Sequence, residues 1–62
     1  MQFRLQQYRE EKGLSQVALA KQTGLTQGFI SQIEHGKKIP TVYIAKKLSL
    51  AVGKSLDELV EL

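Results

Sequence analysis

Apolar residues recur along this chain at helical spacing, and hydroxyl residues and glycines interrupt them at short intervals. From Gln2 to Lys12, Phe3, Leu5 and Tyr8 are apolar, while Gln6, Gln7, Glu10 and Glu11 are polar. This predicts a first helix, ended by Gly13. Leu14 is expected to enter the core ahead of Ser15, a staple-like arrangement at a helix start. Ser15 is a good N-cap, and Gln16 to Gln22 makes about two helical turns. Gly24 can take the positive φ that a helix end needs, so Thr23-Gly24-Leu25 breaks the run. Thr26 is the next N-cap, and Gln27 to His35 forms a third helix closed by Gly36. Leu19 and Ala20 face inward from the second helix. Ile30 and Ile33 face inward from the third. Ala20 is small, which lets the two helices cross closely. The remaining positions of the third helix (Gln27, Gly28, Ser31, Gln32, His35) are polar or small and form an outward face able to lie in a groove.

Pro40 stops any helix from continuing through the loop Gly36-Lys37-Lys38-Ile39-Pro40, in which Ile39 is expected as a core contact. Thr41 caps a fourth helix that runs to about Val52. Val42, Ala45, Leu48 and Val52 fall at helical spacing and are expected to face the core. Gly53 ends this helix. Ser55 with Glu58 makes a capping box for a fifth helix, and Asp57 and Glu58 suit its positive N-terminal end. Leu56, Leu59 and Val60 are its apolar contacts. No linker, repeat or low-complexity segment divides the sequence, which reads as one domain over 1–62.

The size of the chain, 62 residues, limits its core: a domain this small buries only about 60% of its unfolded surface. With no cysteine and a single histidine, neither a disulfide framework nor a closed zinc shell is available. No metal or cofactor is expected. No apolar run approaches the roughly 18 to 20 residues that span a bilayer, and the N-terminus has no apolar signal-peptide region. A soluble cytoplasmic protein is the expectation, with no membrane partner. The only histidine, His35, neighbours Glu34, and the other carboxylates are scattered over helix faces, so the chain is not expected to be an enzyme. The net charge is +3. All of that excess lies between Met1 and Lys38, with six basic and three acidic residues; Ile39 to Leu62 is neutral. The sign suits a phosphate-binding face, and ordinary solubility explains it as well.

The pattern Gln16, Leu19-Ala20, Gly24, Thr26-Gln27, Ile30, Ile33-Glu34 and Gly36 resembles the helix-turn-helix of the lambdoid phage repressor and Cro family, also called the XRE family. The resemblance continues through Ile39-Pro40 to Ser55-Leu56-Asp57-Glu58-Leu59. It implies an all-α, compact five-helix domain of the lambda-repressor-like type, with helices 2 and 3 forming a helix-turn-helix over about 15–35. It also implies a sequence-specific, double-stranded-DNA-binding transcriptional regulator, most simply a repressor that occludes a promoter. A protein-interaction module of an antitoxin or accessory type is the alternative.

In helix-turn-helix proteins the N-terminal residues of the second helix reach base edges in the major groove. Here those are Thr26, Gln27 and Gly28, followed one turn later by Ser31 and Gln32. The amides of Gln27 and Gln32 can bond adenine N6 and N7 bidentately. Gly28 departs from relatives that carry a reading side chain there and offers no hydrogen bond. The resemblance gives Gln16 a phosphate contact at the positive end of its helix; a surface glutamine near a cap is the alternative. Lys37 and Lys38 stand where the family contacts phosphates, or are solvated loop lysines. Phe29 matches an aromatic of the family that packs on the loop or against the sugar-phosphate backbone. His35 lies near the backbone contact, or is a surface or capping group.

By the same resemblance Arg9 pairs with Glu34, the alternative being a solvated arginine. A single domain contacts few bases, so a homodimer on a pseudo-palindromic operator is expected, formed either in solution or only on DNA. Helix 5 and the loop before it (Lys54, Leu56, Asp57, Glu58) are the family-like place for the dimer contact. Ile44 and Leu50 replace residues usually polar in the family and are either a self-association surface or scattered surface hydrophobics. No small-molecule effector is evident.

Overall fold

A computed structural model describes residues 2–61; Met1 and Leu62, the ends of the expected domain, lie outside it. Five helices follow one another: α1 (Leu5–Glu11), α2 (Gln16–Thr23), α3 (Gln27–Glu34), α4 (Val42–Val52) and α5 (Leu56–Leu59). Two short strands, β1 (Gln2–Phe3) and β2 (Val60–Glu61), pair antiparallel and tie the two ends of the chain together, with Gln2 opposite Glu61 and Phe3 opposite Val60.

The helix starts follow from local chemistry. The hydroxyls of Ser15, Thr26, Thr41 and Ser55 accept from the backbone N–H three residues on, at 3.0, 3.1, 3.2 and 3.2 Å. Each such cap stabilises its helix by about 1 kcal/mol. At Ser55 the box is reciprocal, because the Ser55 N–H donates back to Glu58 Oε1 at 3.0 Å. The turn between α2 and α3 depends on Gly24, whose φ of 76° lets its N–H close on the Ala20 carbonyl at 2.9 Å. A side chain there would be strained in the left-handed region.

The core lies where all the helices converge. Leu5, Leu19, Ile30, Ile33, Leu48 and Leu59 are fully buried, and Tyr8, Ala20 and Val52 complete the cluster. Leu14, Phe29 and Ile44 are half-buried against it.

Three sequence expectations change. The first helix does not begin at Gln2. Gln2 and Phe3 are extended, and the Arg4 N–H donates to the Leu59 carbonyl at 2.8 Å. The pull of the C-terminal strand therefore replaces the first helical turn, and α1 has no side-chain cap. Ile39 does not enter the core: it is 66% exposed. Val42 shares the helical phase of Ala45, yet it is 69% exposed. It opens the first turn of α4 beyond the edge of the core, where no other element covers it. Together Ile39 and Val42 stand on an open apolar trough of about 500 Å³, which Phe3, Pro40, Leu56 and Val60 also line. Three helix ends shift by one residue: α1 closes at Glu11 with Lys12 as its C-cap, α2 takes in Thr23, and α3 closes at Glu34 with His35 as its C-cap; Val60, expected on the fifth helix, lies in β2.

Candidate nucleic-acid interface

The two sides of α3 are chemically different. Ile30 and Ile33 are 0% and 1% exposed and anchor the helix on the core. Gln27, Ser31, His35, Gly28 and Gln32 share the opposite side, a strip about 140° wide at 100° per residue. Gln27, Gly28, Gln32 and His35 are exposed, Ser31 is half-buried, and Thr26 caps the helix at the exposed end of the strip. Nothing lies within 4 Å of where a Gly28 Cβ would stand, so this position is open space on that face.

The closing end of α3 is built by backbone bonds. Gly36, at φ 73°, allows the Lys37 N–H to reach the Gln32 carbonyl at 2.8 Å. Lys37 and Lys38 follow, both exposed. The Lys38 ammonium stands 5.9 Å from the centre of the half-buried Phe29 ring. Phe29 thus joins the core to the basic loop. His35 Nδ1 lies 2.7 Å from the Ser31 carbonyl oxygen. A carbonyl only accepts, so the proton sits on Nδ1 and Nε2 is left for another partner.

Behind the strip is a buried polar knot. Arg9 Nε donates to Glu34 Oε2 at 2.7 Å and Arg9 Nη2 to Oε1 at 3.3 Å, while Nη1 donates to the Leu14 carbonyl at 2.8 Å. The Glu34 side chain is 1% exposed and that of Arg9 is 9%. The hydrogen bond to Glu34 raises the Arg9 guanidinium above its ordinary pKa, against the opposing effect of burial. The pair fastens α1 to α3. Glu34 has a further partner that spacing along the chain does not reveal: Gln16 Nε2 donates to Oε1 at 2.9 Å. Gln16 Oε1 in turn accepts from Gln27 Nε2 at 3.4 Å. The Gln16 side chain is therefore turned into the domain. Gln16 is also the first residue of α2, where a backbone N–H has no partner within the helix.

Lys54, Leu56, Asp57 and Glu58 lie just before and in the first turn of α5. Lys54 folds back over Tyr8, 5.0 Å from the ring centre. Leu56 and Asp57 line the apolar trough. Among the described residues no group of three or more His, Cys, Asp or Glu side chains gathers to hold a metal ion.

A short helix with a polar outward face, held across a second helix by a glycine turn, defines a helix-turn-helix module. The helix-turn-helix family profile HTH_3 matches residues 5–59. The chain is 40% identical over 52 residues to the HTH-type transcriptional regulator y4dJ of Sinorhizobium fredii, a match covering 84% of this chain and 68% of that protein. It is 42% identical over 55 residues to the HTH-type transcriptional regulator PuuR of Escherichia coli, covering 89% of this chain but only 30% of the longer relative. Among solved structures it superimposes on SinR, a master regulator of biofilm formation crystallised in complex with DNA, with a TM-score of 0.87 and 32% identity over 94% of each chain. The protein belongs to the HTH_3, or XRE-type, helix-turn-helix family of transcription regulators. That family is one of regulators rather than of enzymes.

Proposed function

We propose that this DNA-binding transcription regulator reads the major groove of double-stranded DNA with α3 and acts as a repressor by occluding a promoter. The division of α3 carries the reading: two buried isoleucines fix the helix on one side, and every residue of the opposite strip is polar or small. In this arrangement Gln27 and Gln32 meet base edges. A glutamine amide accepts from adenine N6 and donates to N7. Thr26 and Ser31 present hydroxyls beside them. Gly28 lets the backbone approach without adding a contact.

Lys37 and Lys38 neutralise phosphates, and the α2 N-terminus at Gln16 offers a backbone N–H to another. Phe29 supports the loop carrying the lysines, and His35 contacts the DNA backbone. No residue is assigned a catalytic role. Among the described residues no helix is long and apolar enough to cross a membrane, and the reading places the regulator with DNA in the cytoplasm.

One such domain touches few base pairs. Tight binding follows when two copies occupy half-sites about 34–36 Å apart. The start of α5 suits the contact between copies. Leu56 and the neighbouring trough supply apolar surface, and Lys54 of one copy faces Asp57 or Glu58 of the other. The operator is then a pseudo-palindrome.

The test is selection of bound duplexes from a random pool at moderate salt, followed by sequencing. A two-fold symmetric motif is the expected result. Absence of enrichment, with binding gone by about 200 mM salt, would reduce the interaction to nonspecific attraction and refute the reading.

A further inference from the structure

Glu34 has an ion-pair partner on α1 and a hydrogen-bond partner on α2, and the second bond has a chemical consequence. A carboxylate has no proton to give, so any group it bonds must be a donor. Facing the Glu34 Oε1 atom, the Gln16 side chain can present only its NH₂ end. Its carbonyl end is thereby aimed the other way, toward Gln27, where it accepts from Nε2. With one Nε2 proton of Gln27 committed to Gln16, the remaining proton and the Oε1 lone pairs are left in a fixed order for a base edge. An amide free to turn over presents donor and acceptor in either order and discriminates less.

We propose that Glu34 is a positioning residue for base reading: through Gln16 it sets which end of the Gln27 amide donates and which accepts. This rests on the reading that Gln27 meets a base. The carboxylate suits the role, because its side chain is 1% exposed and is held from the other side by Arg9 Nε and Nη2. The line Arg9, Glu34, Gln16, Gln27 thus runs from a buried ion pair to the exposed strip. Each link relies on a donor meeting an acceptor.

Glu34→Gln is the informative change. It keeps the shape but puts an NH₂ group either against Arg9 Nε, in place of Oε2, or against both Gln16 and the more distant Arg9 Nη2, in place of Oε1. With its oxygen kept for the shorter bond from Arg9 Nε, Gln16 must turn over, and the order of donor and acceptor on Gln27 reverses. The quantity to measure is the ratio of affinities for the preferred duplex and for one altered at the base pair Gln27 reads. This ratio is insensitive to the folded fraction, which scales both affinities equally. Glu34→Gln should lower it about tenfold, the scale of one bidentate base contact. Adding Glu34→Gln to a Gln16→Ala protein should change it no further. Val52→Ala, a core truncation on α4, should reduce stability and leave the ratio unchanged.

A ratio unaffected by Glu34→Gln, or lowered equally by Val52→Ala, overturns the proposal while leaving base reading by Gln27 intact. A wild-type protein that shows no discrimination at that base pair removes both. If Glu34→Gln does not fold, the wild-type protein answers by NMR. The Gln16 side-chain amide protons should exchange with water markedly more slowly than those of exposed Gln22. Equal rates would overturn the positioning role.

Discussion

The α2–α3 side of this domain and the α4–α5 side are built from the same parts, short capped helices on one small core, yet they end in opposite surfaces. On the first side the apolar residues face inward except Val17, which is 45% exposed. Leu19, Ile30 and Ile33 are buried, and a polar strip is left, backed by the knot of Arg9, Glu34 and Gln16. On the second side Leu48 and Leu59 are buried, but Ile39 and Val42 remain 66% and 69% exposed on a trough. A helix with a polar strip suits a hydrogen-bonding partner such as a base edge. An exposed apolar trough suits another apolar surface. The comparison separates two tasks within 62 residues, so substitutions should affect them separately.

The largest effect is expected where the polar side is buried. Glu34→Ala takes away the buried carboxylate of the pair and leaves the Arg9 charge in the interior with only the exposed Glu10 carboxylate, 4.0 Å from Nη2, beside it, which should cost about 3–5 kcal/mol. Urea unfolding would show this as a large fall in the midpoint with the slope retained. A loss below about 1 kcal/mol would mean that the pair behaves as a solvated one. Next comes the exposed strip. Gln32→Ala removes no core contact and should leave unfolding nearly unchanged, while weakening binding to the preferred duplex by about 1–3 kcal/mol. Equal weakening on random DNA would mean that Gln32 reads no base.

Smaller again is the basic loop. Lys37→Ala should weaken binding to all duplexes alike and lower the slope of log affinity against log salt by about 1. An unchanged slope would remove Lys37 from the phosphate contacts. On the other side, Val42→Ser should alter monomer stability by no more than about 0.5 kcal/mol, since the side chain is already largely in water. Sedimentation of the protein–DNA complex should nevertheless show fewer doubly occupied duplexes. Unaltered pairing would move the contact between copies away from the trough.

Much of the fold was legible because it is set locally. Ser15, Thr26, Thr41 and Ser55 announce helix starts by residue type alone, and Gly24 marks the turn because few other residues adopt its φ. Ile30 and Ile33 announce the buried side of α3 by spacing. What spacing does not contain is the neighbour. Val42 has the right phase for burial, but phase says which way a residue points and not whether another element covers it. The β1–β2 ribbon is two residues long on each strand, too short for alternation to register, and it displaced the predicted first turn of α1. The site divides in the same way. The outward strip can be ordered from helical periodicity, whereas the bond between Gln16 and Glu34, 18 residues apart, exists only because α2 crosses α3 at that point.

The smallest effect is expected at Glu58, at the start of α5. Its carboxylate accepts from the Ser55 N–H and hydroxyl at 3.0 and 3.1 Å, and these bonds hold its pKa below the ordinary value, the backbone bond first. A carboxyl group with a lower pKa in the folded state contributes stability above its unfolded pKa and loses it as the pH falls through the folded one. The wild-type thermal midpoint should therefore exceed that of Glu58→Gln at neutral pH, and the gap should narrow as the pH falls below the ordinary carboxylate range. The side chain is exposed, so the gap is a small one. It is still informative, because Glu58 lies on the α4–α5 side. At neutral pH, Glu58→Gln should leave the base preference of α3 untouched. A change in that preference would mean that the two sides of the domain are coupled through the core, and the separation of tasks drawn from their surfaces would fail.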